Sequence, residues 1–362
     1  MNIFFRVDSS IQIGTGHLMR CLTLADALCE KKATVSFICR ELPGNICDFV
    51  EKKGFKVYRL PYKAHDNSDW QSFEYAQWLC VTWGKDAEQT RAILVKVGRV
   101  IDWLVVDHYA LDKQWEIFSR PYVKKIMVID DLAARPHNCD LLLDQNHYEN
   151  MKTRYEGLVP NHCQKLLGPR YALLRLEFKE ARKNLRQHDG NIKRVLIFFG
   201  GSDPTNETEK ALEAICFLNR PDIAVDVVVG TANPHKERIK QLCAALPYVT
   251  FHCQVNDIAQ LMVNADLSIG GGGTATWERC CVGLPSLVVT IADNQRDVAK
   301  NLFKVGIIIN LGWYEEVKKE DIRSALENLL DMPDIVQQMR VKGMQLVDGY
   351  GTNRVVEELI KN

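Results

Sequence analysis

The feature that most restricts this chain is a pair of glycine-marked turns, each placed directly after an apolar run that reads as a strand. The first is Gly14-Thr15-Gly16-His17, after Ile3-Phe4-Phe5-Arg6-Val7-Asp8. The second is Gly200-Gly201-Ser202-Asp203, after Val195-Leu196-Ile197-Phe198-Phe199. A third run, Gly270-Gly271-Gly272-Gly273, closes Asp266-Leu267-Ser268-Ile269 and leads into the helix-like Thr274-Ala275-Thr276-Trp277-Glu278-Arg279. A strand, a glycine turn and a helix start place free backbone N–H groups toward an anion or a sugar. Their recurrence in both halves predicts two α/β units, each with its own ligand-facing turn.

The 362 residues exceed the length at which one core stops growing, so two domains are expected. β-branched apolar runs alternate with helical periodicity, the pattern of parallel sheets crossed by helices. Strands are read near 3–7, 34–38, 56–60, 102–106 and 126–130, then near 194–199, 224–229, 248–252, 266–269, 286–291 and 307–309. From His17 to Lys31 the apolar residues Leu18, Cys21, Leu22, Ala25 and Leu28 fall on one helical stripe. The fold class is therefore α/β, with two Rossmann-like domains facing a central cleft. The expected division is 1–175 for the first domain, 176–345 for the second, and 346–362 for a helix packing back on the first. The stretch from Gly168 through Arg175 into the charged segment Lys179 to Lys193 reads as the hinge.

Lys+Arg and Asp+Glu both number 46, so the net charge is zero and no general attraction to nucleic acid or anionic membrane is expected. No stretch reaches the roughly 18 apolar residues of a membrane span, and the N-terminus lacks the basic and apolar regions of an export signal. A cytoplasmic chain follows as the expectation. Twelve cysteines lie scattered without a C-x-x-C pair; Cys21, Cys29, Cys39, Cys216, Cys280 and Cys281 read as small apolar residues rather than a disulfide or zinc framework.

His17 stands where a strand gives way to a helix, and Gly14 and Gly16 around Thr15 let a substrate approach the backbone. The positive end of a helix dipole favours the uncharged imidazole that a general base needs. The alternative is a capping or core histidine. Arg20, one turn later, faces the same cleft or solvent. Four consecutive glycines contribute no side-chain area, so something is expected to approach their backbone. Gly201 of the second turn and the N–H groups of Gly272, Gly273 and Thr274 are read as phosphate-facing, and Glu278 as an acceptor for ribose hydroxyls, with a plain acid in a helix first turn as its alternative. No G-x-x-x-x-G-K-[ST] exists and the first turn does not complete G-x-G-x-x-G, so ATP hydrolysis and NAD chemistry lose support and no cofactor is expected. One or more of Asp107-His108-Tyr109 is expected to face the sugar. Asp130 and Asp131, adjacent on an extended chain, diverge too much for a metal site, and His137-x-Cys139 lacks two further ligands. The aromatic stretch Trp70, Phe73, Tyr75, Trp78, Leu79 and Trp83 has no Lys or Arg between 64 and 84, which favours core packing or a cleft wall over a membrane-surface helix.

These residues together resemble a known family. Arg6-Val7-Asp8, Gly14-Thr15-Gly16-His17-Leu18-Met19-Arg20-Cys21-Leu22, Val105-Val106-Asp107-His108-Tyr109, Ile129-Asp130-Asp131-Leu132-Ala133, Gly200-Gly201-Ser202-Asp203, Gly272-Gly273-Thr274-Ala275-Thr276-Trp277-Glu278, Gly283-Leu284-Pro285-Ser286 and Asn294-Gln295 follow one another as in the UDP-2,4-diacetamido-2,4,6-trideoxy-β-L-altropyranose hydrolases of pseudaminic acid biosynthesis. The resemblance spans nearly the whole chain. It implies the GT-B fold, similarity to the MurG-type N-acetylglucosaminyltransferases, and a UDP-sugar substrate in a pathway toward flagellin glycosylation. It also implies metal-free hydrolysis with His17 as base, inversion at the anomeric carbon, and UDP on the C-terminal domain. There Gly272, Gly273 and Thr274 take the pyrophosphate, Glu278 the ribose, Val255 to Ile258 the uracil, and Asn294 and Gln295 the diphosphate–sugar junction. Arg6, Asp8 and Tyr109 are the expected positioning groups for the amido sugar, and the protein is expected to act as a monomer. A UDP-sugar-dependent GT-B glycosyltransferase is the competing reading.

Overall fold

The computed structural model describes residues 1–62, 75–255 and 257–361. They form two compact units, one of Met1–Asn146, Asn150–Leu173 and Thr352–Asn362, the other of His147–Glu149 and Leu174–Gly351. Among these residues no helix is long and apolar enough to cross a membrane.

In unit 1 the strands are β1 (Asn2–Val7), β2 (Thr34–Arg40), β3 (Lys56–Leu60), β4 (Trp103–Asp107), β5 (Lys125–Ile129), β6 (Leu141–Asp144) and β7 (Gln164–Leu167). They pair in parallel in the order β3-β2-β1-β4-β5-β6-β7. Successive side chains point to opposite faces, so the apolar run of β1 serves two cores. Ile3, Phe5 and Val7 meet Leu18, Leu22 and Ala25 of the helix Gly16–Glu30, and Phe4 meets Ile38, Leu104 and Trp115 on the other face. The C-terminal helix Gly351–Lys361 brings Val355, Val356 and Leu359 into the first of these cores, and Trp103 Nε1 donates to the Leu359 carbonyl at 3.0 Å. The sequence reading stopped at β5. Strands β6 and β7 are four residues each, too short to show a period, and are strands because their neighbour offers an edge.

Unit 2 holds β8 (Arg194–Phe198), β9 (Ala224–Val229), β10 (Val249–Cys253), β11 (Leu267–Gly271), β12 (Ser286–Thr290) and β13 (Ile309–Trp313), parallel in the order β10-β9-β8-β11-β12-β13. Strand β13 runs later than the expected 307–309. Its pairing with β12 slips between Val288 and Val289, where Gly312 adopts a left-handed φ of 111° and lets the edge strand re-enter register.

Below the end of β1, unit 1 encloses four charges with no solvent exposure. Arg6 grips Asp8 through Nη1 and Nη2 at 2.6 and 2.8 Å, and Asp86 through Nε and Nη2 at 3.1 and 2.6 Å. Arg40 adds Nη2 to Asp86 at 2.7 Å and its backbone N–H to Asp8 at 2.6 Å, and Trp115 Nε1 donates to Asp86 at 3.0 Å. Two cations face two anions, and each carboxylate oxygen is used. This corrects the expectation for Arg6 and Asp8. Both side chains are fully buried with their polar atoms committed to one another, so they support the end of the sheet and do not reach a ligand.

Burial pushes the Asp8 and Asp86 carboxyls up, but the arginines more than offset it and hold both below the usual carboxylate range. A carboxyl whose folded pKa is depressed adds stability above its unfolded pKa of about 3.9 and loses that contribution as pH falls. Asp86→Ala, which leaves Arg6 and Arg40 underpaired, should cost about 3–5 kcal/mol in urea unfolding at pH 7. Wild-type stability should also fall more steeply than that of the variant between about pH 5 and pH 3. A variant as stable as wild type at pH 7 would remove this network from the account of the fold.

Candidate functional site

At the end of β1 the chain turns back on itself. Gly14 takes a left-handed φ of 74° and donates its N–H to the Ser10 carbonyl at 2.9 Å, which swings Thr15 into position before the helix Gly16–Glu30. Thr15 supplies no side-chain cap, and the N–H groups of Gly16, His17 and Leu18 find no acceptor among the described residues. His17 thus rides the first turn of a helix whose start is open.

Its ring is fixed from behind. Strands β1 and β4 pair with Val7 opposite Asp107, so the last residue of β4 emerges beside the glycine turn. Asp107 Oδ1 lies 2.6 Å from His17 Nδ1. The same carboxylate takes Arg20 Nε and Nη2, each at 2.6 Å, and the Cys21 thiol at 3.4 Å. Burial raises the Asp107 carboxyl, but Arg20 and then His17 reverse this and keep it well below the carboxylate range. An ionised Asp107 accepts from Nδ1–H, the assignment that leaves the Nε2 lone pair outward, where it bonds to no described residue. Arg20 Nη2 sits 3.1 Å from Nδ1, and because both are donors in this tautomer, the carboxylate between them carries the interaction. Arg20 also reaches Asp131 at 3.2 Å, and the Tyr109 hydroxyl donates to that carboxylate.

Tyr109 presents its ring edge-on to His17, with centroids 4.6 Å apart. Trp78 stacks on Tyr109 at 5.3 Å, and Tyr75 closes the group at 4.8 Å from Trp78 and 5.1 Å from Tyr109. Of the aromatic stretch, Trp78 and Tyr75 therefore join Tyr109 beside the histidine, whereas Leu79 packs in the core and Trp83 is exposed; Trp70 and Phe73 lie outside the described residues. His108 turns away: burial lowers its pKa, its Nδ1 accepts from Ala110 N at 3.1 Å and its Nε2 lies 3.3 Å from Asp8. Asp130 is occupied by Arg135, the Ala133 N–H and Tyr155, and among the described residues no group of His, Cys, Asp or Glu is arranged to hold a metal ion. Motif reading singled out His17 and placed Asp107 in a stretch expected to face the sugar, but it did not pair the two, because Asp107 is brought to His17 only by strand pairing. An acid ending an apolar strand was the available signal.

In unit 2 the four residues of the third glycine run do not share one reason for being glycine. A Cβ on Gly270 would lie 2.3 Å from the Phe198 carbonyl and 2.7 Å from Arg279 Nη1. Packing therefore explains Gly270, contrary to the expectation that it could explain none of the four. Gly272 and Gly273 lie beside Gln295, whose Cβ and Nε2 would stand 3.3 and 3.7 Å from their added methyls. The N–H groups of Gly272, Gly273 and Thr274 donate to no described residue, and the helix Ala275–Val282 begins directly after them without a side-chain cap. Glu278, one turn beyond Thr274, is half-buried and 3.3 Å from Arg175 Nη2; burial raises its carboxyl and Arg175 opposes the shift. Gln295, in the first turn of the helix Asp293–Lys304, accepts from Ile291 N at 3.1 Å, and Asn294 precedes it. The fold thus gathers Gly272, Gly273, Thr274 and Gln295 at the ends of β11 and β12.

The second glycine turn is built otherwise. Asp203, with a left-handed φ of 39°, accepts from the N–H groups of Glu207 and Thr208 at 3.0 and 2.9 Å, so the helix Glu207–Leu218 is capped by the turn's own acid. Gly201 lies against Gly230, where a Cβ would come within 2.2 Å of the Gly201 carbonyl. The helix Glu207–Leu218 that follows Gly201 is thus capped from within, unlike the helix after Thr274, while the Gly201 N–H itself donates to no described residue. Val255 is partly exposed and Ile258 is buried as the first residue of the helix Ile258–Asn264, capped by Asp257; Asn256 between them lies outside the described residues.

Residues 195–348 match the glycosyltransferase family 28 C-terminal domain. The chain is 27% identical over 307 residues to the UDP-2,4-diacetamido-2,4,6-trideoxy-β-L-altropyranose hydrolase of Campylobacter jejuni, covering 84% of this chain and 97% of that one. It is 24% identical over 362 residues to the spore coat polysaccharide biosynthesis protein SpsG of Bacillus subtilis, covering 98% and 96%. Among solved structures, MurG of Acinetobacter baumannii superposes with a TM-score of 0.67 at 14% identity, covering 100% of this chain and 99% of that one. The resemblance drawn from the motifs holds, and the fold is GT-B, two Rossmann-like halves.

The two reasons for glycine are separable by substitution. Gly270→Ala should lower the unfolding free energy by about 1–3 kcal/mol, because the Phe198 carbonyl is backbone and cannot step aside. Gly273→Ala, whose methyl meets nothing nearer than 3.7 Å, should stay within about 1 kcal/mol of wild type. Equal thermal denaturation of the two variants would contradict this division.

Proposed function

We propose that the protein is a metal-independent nucleotide-sugar hydrolase that acts on a UDP-2,4-diacetamido-2,4,6-trideoxy sugar and releases UDP and the free sugar. The observation that carries the reading is the imidazole of His17, fixed at Nδ1 by a buried, ionised Asp107 with Nε2 left to take a proton. In this scheme unit 2 holds the nucleotide, with the amides of Gly272, Gly273 and Thr274 on the pyrophosphate, Glu278 on ribose and Gln295 beside the sugar–phosphate junction. His17 of unit 1 accepts a proton from water as its oxygen attacks the anomeric carbon. The C–O bond breaks and its electron pair leaves with UDP, whose charge the open helix start stabilises. Asp107 is wholly buried and bonded twice to Arg20, so it orients the base and does not attack. A single displacement inverts the anomeric centre. The substrate class follows the Campylobacter jejuni relative. A glycosyltransferase is the second reading, favoured by the family 28 match over residues 195–348.

His17→Asn should lower kcat about 10² to 10⁴-fold with UDP affinity unchanged. Asp107→Asn should lower kcat more than about tenfold, also with UDP bound normally, since only the orientation of the base is lost. If His17→Asn keeps more than about a tenth of wild-type turnover, the base is elsewhere.

Incubation with UDP-2,4-diacetamido-2,4,6-trideoxy-β-L-altropyranose and EDTA, without any acceptor, should release UDP at the full rate. A transferase would release little. In ¹⁸O-labelled water, early mass spectra should show the label in the sugar and none in UDP. Label in phosphate would place the attack at phosphorus and refute the mechanism.

A further inference from the structure

Beneath the third glycine turn lies a buried cation that forms no ion pair among the described residues. Arg279 belongs to the first turns of the helix Ala275–Val282 and is 1% exposed. Its Nη2 donates to the Gly271 carbonyl at 2.7 Å and to Thr276 Oγ1 at 3.1 Å, while Nε and Nη1 find no partner among the described residues. The guanidinium fills the space that a side chain on Gly270 would take, 2.7 Å from that missing Cβ, so it is packed directly under Gly270 and Gly271. Burial lowers its pKa to about 10, which leaves it a cation at neutral pH. Among the described residues no carboxylate forms an ion pair with it. The neighbouring Glu278 pairs with Arg175 instead.

A buried guanidinium without a carboxylate is costly, and arginines in such places are ordinarily paired. The contrast within this chain is direct: Arg6 and Arg40 of unit 1 are equally buried and meet Asp8 and Asp86. Around the third glycine turn, Arg175 is shared by Glu177 and Glu278, whereas Arg279 forms no ion pair among the described residues, and the N–H groups of Gly272, Gly273 and Thr274, which donate to no described residue, open beside it. Each of these features favours the same missing partner, a multiply charged anion seated on the turn.

We propose that Arg279 is the built-in counter-charge for the diphosphate bound at Gly272–Thr274, a positioning residue that acts through the Gly271 backbone and its field without touching the ligand. The proposal rests on the reading of this turn as the UDP site and goes beyond it in assigning the charge that selects a phosphorylated ligand. Its consequence is a specific split. The increment in affinity from uridine to UDP depends on Arg279, whereas affinity for uridine does not.

The test is calorimetric binding of uridine, UDP and inorganic pyrophosphate to the full chain and to Arg279→Met and Arg279→Lys. Arg279→Met should bind UDP and pyrophosphate at least about tenfold more weakly and uridine unchanged. Its melting temperature without ligand should not fall, because an unpaired buried charge is gone. Arg279→Lys, which keeps the charge and loses the fork, should bind UDP within a few-fold of wild type. Unchanged UDP and pyrophosphate affinity in a folded Arg279→Met overturns the proposal. If Arg279→Met does not fold, Arg279→Lys decides: retained anion binding supports the proposal, and loss of it in a folded protein assigns the fork a structural role. Wild type that binds pyrophosphate but not UDP would refute the nucleotide reading while leaving Arg279 its anion, and wild type that binds neither overturns both.

Discussion

In a parallel sheet every strand ends on the same edge, and this constraint organises both halves of the protein. Pairing of β1 with β4 sets Val7 against Asp107, so the turn that carries His17 and the acid that orients it rise side by side. Pairing of β4 with β5 adds Asp131, which ties Arg20 and Tyr109 to the same group. In unit 2 the ends of β11 and β12 bring the open glycine amides against Gln295 in the same way. Helix starts and acidic strand ends far apart in the chain become neighbours because the strands beneath them are in register.

Charge is handled differently on the two sheets. Unit 1 buries Arg6 and Arg40 against Asp8 and Asp86, and its Arg20 against Asp107 and Asp131, so cations and anions answer one another within hydrogen-bond distance. Such networks hold geometry at the expense of desolvation, and they hold it only when complete. Behind His17 that completeness matters, since an acid kept ionised by Arg20 can only accept a hydrogen bond, and so fixes the proton on Nδ1. In unit 2, among the described residues, Arg279 has no ion pair and three amides at one turn have no acceptor, an arrangement that suits binding of an anion from outside.

Most strands were legible because their signal is local: apolar β-branched runs at β1, β2, β3, β8 and β9 are bounded by turn residues, and the stripe from Leu18 to Leu28 repeats with helical spacing. Strands β6 and β7 were not, since four residues carry no period and their pairing comes from a neighbour. The site was legible where backbone shape announces it, at Gly14–His17 and Gly272–Thr274. It was misread at Arg6 and Asp8, where a motif position proved to be an internal ion network.

The sequence by itself determined that two glycine-punctuated α/β halves would form, that a histidine would open one helix, and that open amides would begin another, because these follow from residue types a few positions apart. Tertiary structure alone decided that Asp107 serves His17, that Asp86 neutralises Arg6 and Arg40, and that Arg279 lies buried without an ion pair among the described residues. Each of those depends on which strand lies next to which and in what register, and on whether a side chain finds a counter-charge once water is excluded. No local pattern encodes a partner 46 to 90 residues away.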